Sequence, residues 1–165
     1  MLNDIQEIRE ELLQSVSGLT DEQLNEKQES KWSIMQVLEH LYLTENLIVH
    51  KMKVVMASDE ETNVENKSFR QATNRSHKFT APPSMTPSNE FSTFATIQEK
   101  LLASRTSLKE FLVNAEEEKM LKRSLPHPVF GSLNVKQWVE FIGLHEKRHL
   151  AQIEEIKQEL RLIDC

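Results

Sequence analysis

Apolar residues recur at spacings of three and four along four long segments of this 165-residue chain. Such spacing puts the apolar side chains on one face of an α-helix, and that face has to be buried against another element. The predicted helices run from about Asn3 to Ser17, Ser33 to Met56, Asn89 to Ala115 and Val135 to Leu162. The first of them carries the apolar stripe Ile5, Ile8, Leu12, Val16 and Leu19. The chain is therefore predicted to be all-α.

Helix starts are marked by a capping residue followed three positions later by glutamine. This spacing is typical of a capping box, in which two side chains satisfy free N–H groups of the first turn. It occurs at Thr20 with Gln23, which predicts a short helical turn through Leu24. It occurs again at Ser33 with Gln36 and at Asn134 with Gln137, which predicts the starts of the second and fourth long helices.

Residues 58–88 interrupt the helical pattern, being rich in Asn, Ser, Thr and Glu and carrying three prolines near the end. This predicts a long crossover between helices two and three, either a lid or binding loop or a partly disordered segment. The connection Leu125 to Leu133 contains Pro and Gly, and no segment shows a convincing strand alternation. The simplest arrangement is a four-helix bundle in a single domain, residues 1–165.

The composition of the chain indicates which binding partners are not expected. The net charge is −6 with no sustained Lys/Arg stripe, so nucleic acid is not an expected partner. No apolar run approaches the roughly 20 residues of a membrane span, so no membrane is expected either. The one cysteine, Cys165, cannot form an internal disulfide, which suits a reducing compartment. We therefore expect a cytoplasmic protein.

His145 and His149 carry the strongest chemical signal. Residues four apart on a helix lie on one face, with Cβ atoms about 5–6 Å apart, so both imidazoles can reach one ion. Their face is also the apolar one, which includes Trp138, Ile142 and Ile153. The alternative is a chance pair of histidines. Their placement on the buried face favours a metal site.

The third ligand of such a site has to come from elsewhere in the chain. His40 is the best candidate, since it sits on the apolar face of helix two between Val37 and Leu41; the alternative is a hydrogen-bonded core histidine. His50 is predicted to face solvent. His77 and His127 fall in predicted loops and receive no role.

The segment from His145 to His149 also matches the metalloprotease pattern in which a glutamate is the general base. The extended pattern needs Gly and His where this chain has Gln152 and Glu155. No sheet edge that could bind a peptide is predicted. We therefore disfavour a protease and keep Glu146 as a weak catalytic candidate, which could equally support a ligand or lie on the surface.

Several of these residues stand together in a recognisable order: Trp32-Ser33, Glu39-His40-Leu41, the run His127 to Asn134, the histidine pair and Gln152. In this the chain resembles the DinB-like superfamily of small metal-binding bundles. The resemblance covers nearly the whole chain and is strongest from Pro126 to Ile156.

The resemblance implies that one histidine of helix two and two of helix four, here His40, His145 and His149, hold one zinc or nickel ion. It also implies a possible homodimer. The superfamily includes thiol-dependent S-transferases, such as bacillithiol transferases and mycothiol-dependent isomerases, and proteins assigned as metal-dependent hydrolases.

Three functions follow as expectations. The first is a metal-dependent hydrolase that activates water against a small-molecule substrate. The second is a metal-dependent S-transferase using a low-molecular-weight thiol such as bacillithiol. The third is a non-catalytic metal-binding bundle, although structural zinc usually has four protein ligands and catalytic zinc has three.

Overall fold

A computed structural model describes residues 2–68, 71–76 and 78–162 of the chain. Four long helices form the predicted bundle, and two short helices lie in the connections. In chain order the helices are α1 (Leu2–Val16), α2 (Asp21–Asn25), α3 (Ile34–Ala57), α4 (Phe94–Asn114), α5 (Glu117–Leu121) and α6 (Val135–Glu159). Helix α3 packs against α4 and α6, and α1 packs against α6. Within the described ranges, no helix combines the length and apolar character of a membrane span.

The predicted helix starts are confirmed at three caps. The Ser33 hydroxyl accepts from Gln36 N at 3.1 Å, and the Gln36 side chain accepts from Ser33 N at 3.1 Å. Thr20 and Gln23 form the same reciprocal pair ahead of α2. Asn134 caps α6 by accepting from Gln137 N at 2.9 Å. These caps fix where the site-bearing helices α3 and α6 begin.

The predicted start of the third long helix is wrong. Helix α4 begins at Phe94 rather than near Asn89, and Thr93 caps it by accepting from Thr96 N. The Asn25 side chain bonds both the N–H and the carbonyl of Ser92, which holds the chain extended just before the helix. Phe91, expected on the apolar stripe, is therefore outside the helix and 62% exposed.

The connection before α6 is a β-hairpin, which corrects the expectation that this segment has no strands. Strands β1 (Ser124–His127) and β2 (Gly131–Asn134) pair antiparallel, with His127 opposite Gly131. Each strand has only four residues, which is too few to show alternation. Pro126 in β1 further weakens the strand signal. Gly131 has φ +70°, a conformation that favours glycine. The hairpin leads directly into the cap of α6.

The long crossover between α3 and α4 is confirmed, and it includes a 3₁₀ turn at Pro83–Met85. Several of its described residues are tied to the helices. Ser88 N donates to Glu39 Oε2 at 3.0 Å, and the Arg75 guanidinium pairs with Glu155 at 2.6 Å. The crossover therefore lies against α3 and α6. His77 and Cys165 are outside the described residues.

The core consists of two apolar clusters, each drawing on all four long helices. One cluster includes Ile5, Ile48, Leu108 and Ile142. The other includes Leu12, Leu41, Leu101 and Ile153. On each of the four long helices, one buried charged residue with ion-pair partners falls between the two clusters. We call these four the buried ion layer: Arg9, Glu45, Arg105 and Glu146.

Candidate metal centre

The three histidines singled out in the sequence lie together. His40 comes from α3, while His145 and His149 come from successive turns of α6. The Nε2 atom of His145 is 3.3 Å from that of His40 and 3.2 Å from that of His149. One ligand atom from each residue falls within 4.8 Å of the other two. The structure thus brings these histidines close enough to share one ion.

Two of the three imidazoles are held by hydrogen bonds that set their tautomer. His40 Nδ1 donates to the Met85 carbonyl at 2.7 Å, and His149 Nδ1 donates to Gln152 Oε1 at 2.7 Å. Each Nε2 is then left with a lone pair, which is the form that binds a metal. The Met85 carbonyl belongs to the crossover, so this segment helps to orient a site residue. Sequence reasoning missed it, because a backbone carbonyl carries no residue signature.

Two of the three nitrogen–nitrogen separations match a tetrahedral ion, and all three ligand atoms lie within 4.8 Å of one another. A Zn–N distance of about 2.0–2.1 Å at tetrahedral angles separates neighbouring nitrogens by about 3.3 Å. The two Nε2 separations at His145 are 3.3 and 3.2 Å. Lone pairs at this distance repel one another unless a proton or a cation lies between them. Three protein nitrogens also leave one coordination position for a water or a substrate atom.

The surroundings keep these histidines neutral. Burial lowers the pKa of His149 to about 3. The pKa of His145 is well below its usual range because of burial and because of the neighbouring His149 and His40. Burial also lowers the pKa of His40, although its bond to Met85 opposes the change. Since metals bind neutral imidazole, the three side chains are ready as ligands at neutral pH.

Aromatic rings flank the histidines. The Trp32 ring lies 5.1 Å from the His40 ring, and the Phe141 ring lies 5.5 Å from the His145 ring, measured between centroids. Apolar rings beside a few polar groups are typical of small-molecule sites.

Glu146, the weak catalytic candidate, is not one of the residues grouped around the candidate ion position. It is 2% exposed, so it is not a surface residue. Its Oε1 accepts from Arg9 Nε, and its Oε2 accepts from Arg105 Nη2 at 2.5 Å. Both oxygens are therefore engaged in ion pairs. A general-base role for Glu146 stays a prediction, and these contacts argue against it, since a base has to reach the attacking water.

The remaining contacts of the buried ion layer centre on Glu45. Its Oε2 accepts from Arg9 at 2.9 Å and from Arg105 at 3.0 Å. The guanidinium groups also donate to backbone carbonyls, Arg9 to Leu101 at 2.8 Å and Arg105 to Ile5 at 2.8 Å. The four side chains carry two positive and two negative charges, so the layer is balanced. Sequence reasoning missed it, although each member interrupts an apolar stripe.

His127 is a structural member of the hairpin rather than a loop residue. It is 8% exposed and lies against three aromatic rings, those of Phe130, Trp138 and Phe141. Its Nδ1 accepts from Val129 N at 3.0 Å and from Phe130 N at 3.2 Å, which stabilises the turn. His50 is exposed, as predicted.

His127 should make stability depend on pH. Burial lowers its pKa from 6.5 to about 4. Between these values the unfolded chain takes up a proton that the folded chain does not, so stability falls as the pH falls. From pH 7.5 to pH 5 we expect His127 to contribute a loss on the order of 1 kcal/mol, after allowing for solvent screening.

The measurement is urea unfolding at both pH values with a metal chelator present. His127→Asn keeps an acceptor near the two N–H groups but does not titrate, so its stability should change less with pH. The wild-type histidines of the site are present in both proteins and cancel in the comparison. Identical pH dependence in the two proteins would contradict the prediction.

In this chain, the second and fourth long helices of a bundle bring three histidines together. This combination defines a class of small helical proteins with a candidate metal centre. The model of the DinB superfamily matches residues 4–153 of this chain. The chain therefore belongs to the DinB superfamily, and the resemblance seen in the sequence is confirmed.

Other proteins resemble this chain in sequence or in fold. An uncharacterized protein of Bacillus subtilis strain 168, YuaE, is 36% identical over 155 residues, covering 93% of this chain and 95% of its own. YfiT from Bacillus subtilis, described as a probable metal-dependent hydrolase with an unusual four-helix bundle topology, superposes with a TM-score of 0.66 at 17% identity, covering 97% of this chain and 85% of YfiT. A conserved protein from Enterococcus faecalis superposes with a TM-score of 0.64 at 10% identity, covering 95% and 92%. At these identities the solved structures support the fold alone.

Proposed function

We propose that this protein is a metal-dependent hydrolase of a small molecule, with one zinc or nickel ion held by His40, His145 and His149. The observation that carries the proposal is the convergence of three Nε2 atoms, two of them at 3.2–3.3 Å from the third. The description of YfiT as a probable metal-dependent hydrolase supports the same reaction class. An ion bound there would act as a Lewis acid on the group in its open position, making water a better nucleophile at neutral pH.

The chain itself supplies binding and orientation. Met85 and Gln152 hold the rings of His40 and His149 so that Nε2 faces inward. Arg75 places a guanidinium next to Gln152, with Nη1 3.5 Å from Oε1, while pairing with Glu155. Trp32 and Phe141 provide apolar surface beside the ligands, which limits water around a bound substrate.

The test is an activity panel on protein loaded separately with Zn²⁺ and Ni²⁺. The substrates are small nitrophenyl esters, nitroanilides and the electrophile chloro-nitrobenzene, each assayed with and without a low-molecular-weight thiol. We expect product release without thiol, lost after chelation and reduced at least 100-fold in His40→Ala, because the ion would lose one of its three ligands. His50→Ala is the matched control, since it removes an exposed histidine from the same helix.

The panel also separates the alternatives. Product that forms only when thiol and an electrophile such as a chloro-nitrobenzene are both present would replace the hydrolase with an S-transferase. Metal-loaded protein that turns over none of these substrates would favour a non-catalytic metal-binding bundle. Equal rates for His40→Ala and His50→Ala would contradict the proposed site.

A further inference from the structure

The three histidines differ in how their second ring nitrogen is held. His40 and His149 each donate Nδ1–H to an oxygen acceptor at 2.7 Å. For His145, both hydrogen-bond contacts to described residues are made by Nε2, which faces the other two histidines. When Nε2 of a histidine serves as a ligand, Nδ1 carries the proton and needs an acceptor, which fixes the ring and raises its basicity. His145 therefore lacks a direct acceptor among the described residues.

A small cavity adjoins His145 on the side of the buried ion layer. Its volume is about 10 Å³, counted as the space open to the centre of a water molecule. One buried water occupies about 10–15 Å³ and needs two to four polar partners, so a cavity with this much room for its centre can hold it. The polar side chains that line the cavity beside His145 are Arg9, Thr44, Glu45 and Glu146, and the apolar ones are Leu41 and Ile142. The space and the polar lining both suit a single water molecule.

Thr44 supplies an independent sign of a bound molecule. It is 4% exposed, and its Oγ1 is buried with no hydrogen-bond partner in the described part of the chain. Burying a hydroxyl without a partner costs about 1–3 kcal/mol in proteins, so such groups normally find a partner or a water. Thr44 lies one turn after His40 on α3 and lines the same cavity as His145.

We propose that Thr44 is a positioning residue that holds one buried water between its Oγ1, the carboxylates of the ion layer and Nδ1 of His145. The water accepts from Nδ1–H and donates to Thr44 Oγ1 and to Glu45 or Glu146. It completes for His145 the support that Met85 and Gln152 give to the other two ligands. The buried ion layer is thereby connected to the metal site through hydrogen bonds. The inference rests on the proposed metal site.

The test compares Thr44→Val, which keeps the shape and removes the hydroxyl, with Thr44→Ser, which keeps the hydroxyl. Zn²⁺ affinity is measured by competition with a chromogenic chelator, and the melting temperature is measured on metal-free protein. We expect Thr44→Val to bind Zn²⁺ about 10-fold more weakly, the effect typical of losing support behind a ligand, and Thr44→Ser to stay within about 3-fold. Long-range ¹H–¹⁵N NMR spectra of the zinc-bound protein should show the Nδ1 resonance of His145 shifted in Thr44→Val only.

The melting temperature tests the water without the metal. If Thr44 Oγ1 is truly unpartnered, valine removes a buried unsatisfied group and should raise the melting temperature. If Oγ1 binds the water, valine leaves the water short of a partner and should lower the melting temperature. A rise would therefore overturn the proposal. Unchanged Zn²⁺ affinity in Thr44→Val would also overturn it, even with a lower melting temperature.

Failure of the proposed function gives a different pattern. A wild-type chain that binds no Zn²⁺ would reject the metal site and, with it, the positioning role of Thr44. The sign of the melting-temperature change would then still report on the water alone. Zinc binding by the wild type with equal affinity in Thr44→Val would reject only the inference about Thr44.

Discussion

Replacing Arg105 with methionine is expected to lower the free energy of unfolding by about 3–5 kcal/mol, the cost of breaking a buried ion pair by removing one partner. The Arg105 guanidinium contacts both carboxylates of the buried ion layer, Glu45 at 3.0 Å and Glu146 at 2.5 Å. It also donates to the Ile5 carbonyl. Methionine fills much of the volume of Arg105. The two buried carboxylates, Glu45 and Glu146, would then have only Arg9 as a charged partner. Urea unfolding followed by circular dichroism measures the loss.

Lys31→Met is the matched control, because Lys31 pairs with Glu159 while both side chains are at least 40% exposed. Exposed pairs contribute about 0–1 kcal/mol, so this variant should be close to wild type. Adding Glu45→Gln to Arg105→Met should recover part of the loss, since one unpaired charge is removed. A loss for Arg105→Met no larger than that for Lys31→Met would show that the layer does not hold the bundle together.

The second large effect concerns metal binding. We expect His145→Ala and His149→Ala each to weaken Zn²⁺ or Ni²⁺ binding by more than about 100-fold, since loss of a direct ligand exceeds the 10–100-fold typical of outer partners. His40→Ala should weaken binding as well. All three variants should stay helical, because the apolar clusters of the four helices provide the stability of the fold. Elemental analysis and chelator competition on tag-free protein measure both stoichiometry and affinity.

Thermal melts provide a second reading of the same site. A ligand that binds only the folded chain raises the melting temperature, and the stabilisation grows with the logarithm of the ligand concentration divided by its Kd. Metal should therefore stabilise the wild type and the control His50→Ala, but not His149→Ala. Wild-type affinity in any of the three site variants would remove that residue from the proposed site. Unfolding of His145→Ala and His149→Ala would instead show that the histidines are structural.

The helical part of the fold could be predicted because its signal is periodic and long. Each long helix presents apolar residues over several turns, and the caps at Ser33 and Asn134 mark the helix starts within one residue. The start of α4 could not be predicted. Besides the local cap at Thr93, the backbone before the helix is held by Asn25, which lies 67 residues away in sequence from Ser92. The hairpin was missed because four-residue strands are shorter than the pattern used to recognise them.

Part of the histidine cluster could also be predicted from helical periodicity. His145 and His149 are related by helical spacing alone, and His40 was the one histidine on the apolar face of another helix. The surroundings of the cluster could not be predicted. The Met85 carbonyl reaches His40 only through the path of the crossover, and the cavity beside Thr44 depends on how three helices pack.

The buried ion layer could in principle be predicted from the sequence. Each of its members sits where the apolar stripe would place another hydrophobic residue, as Arg9 does between Ile5 and Leu12. A single charge in a stripe is easily taken as the edge of a solvated face. Four of them, one on each long helix and balanced in sign, indicate a shared buried network, because burial of any one alone would be too costly.

The same four charges fix the position of each long helix along the bundle axis relative to the other three. Apolar stripes repeat at every turn and would tolerate a slide along the bundle axis. Moving α1 by one turn would carry Arg9 about 5.4 Å, away from the Glu45 carboxylate that now lies 2.9 Å from it. A buried ion-paired residue that occurs once on each long helix has only one matching alignment, much as a single polar residue sets the register of a coiled coil. The same alignment places His40 at the position along the bundle axis where it meets His145 and His149.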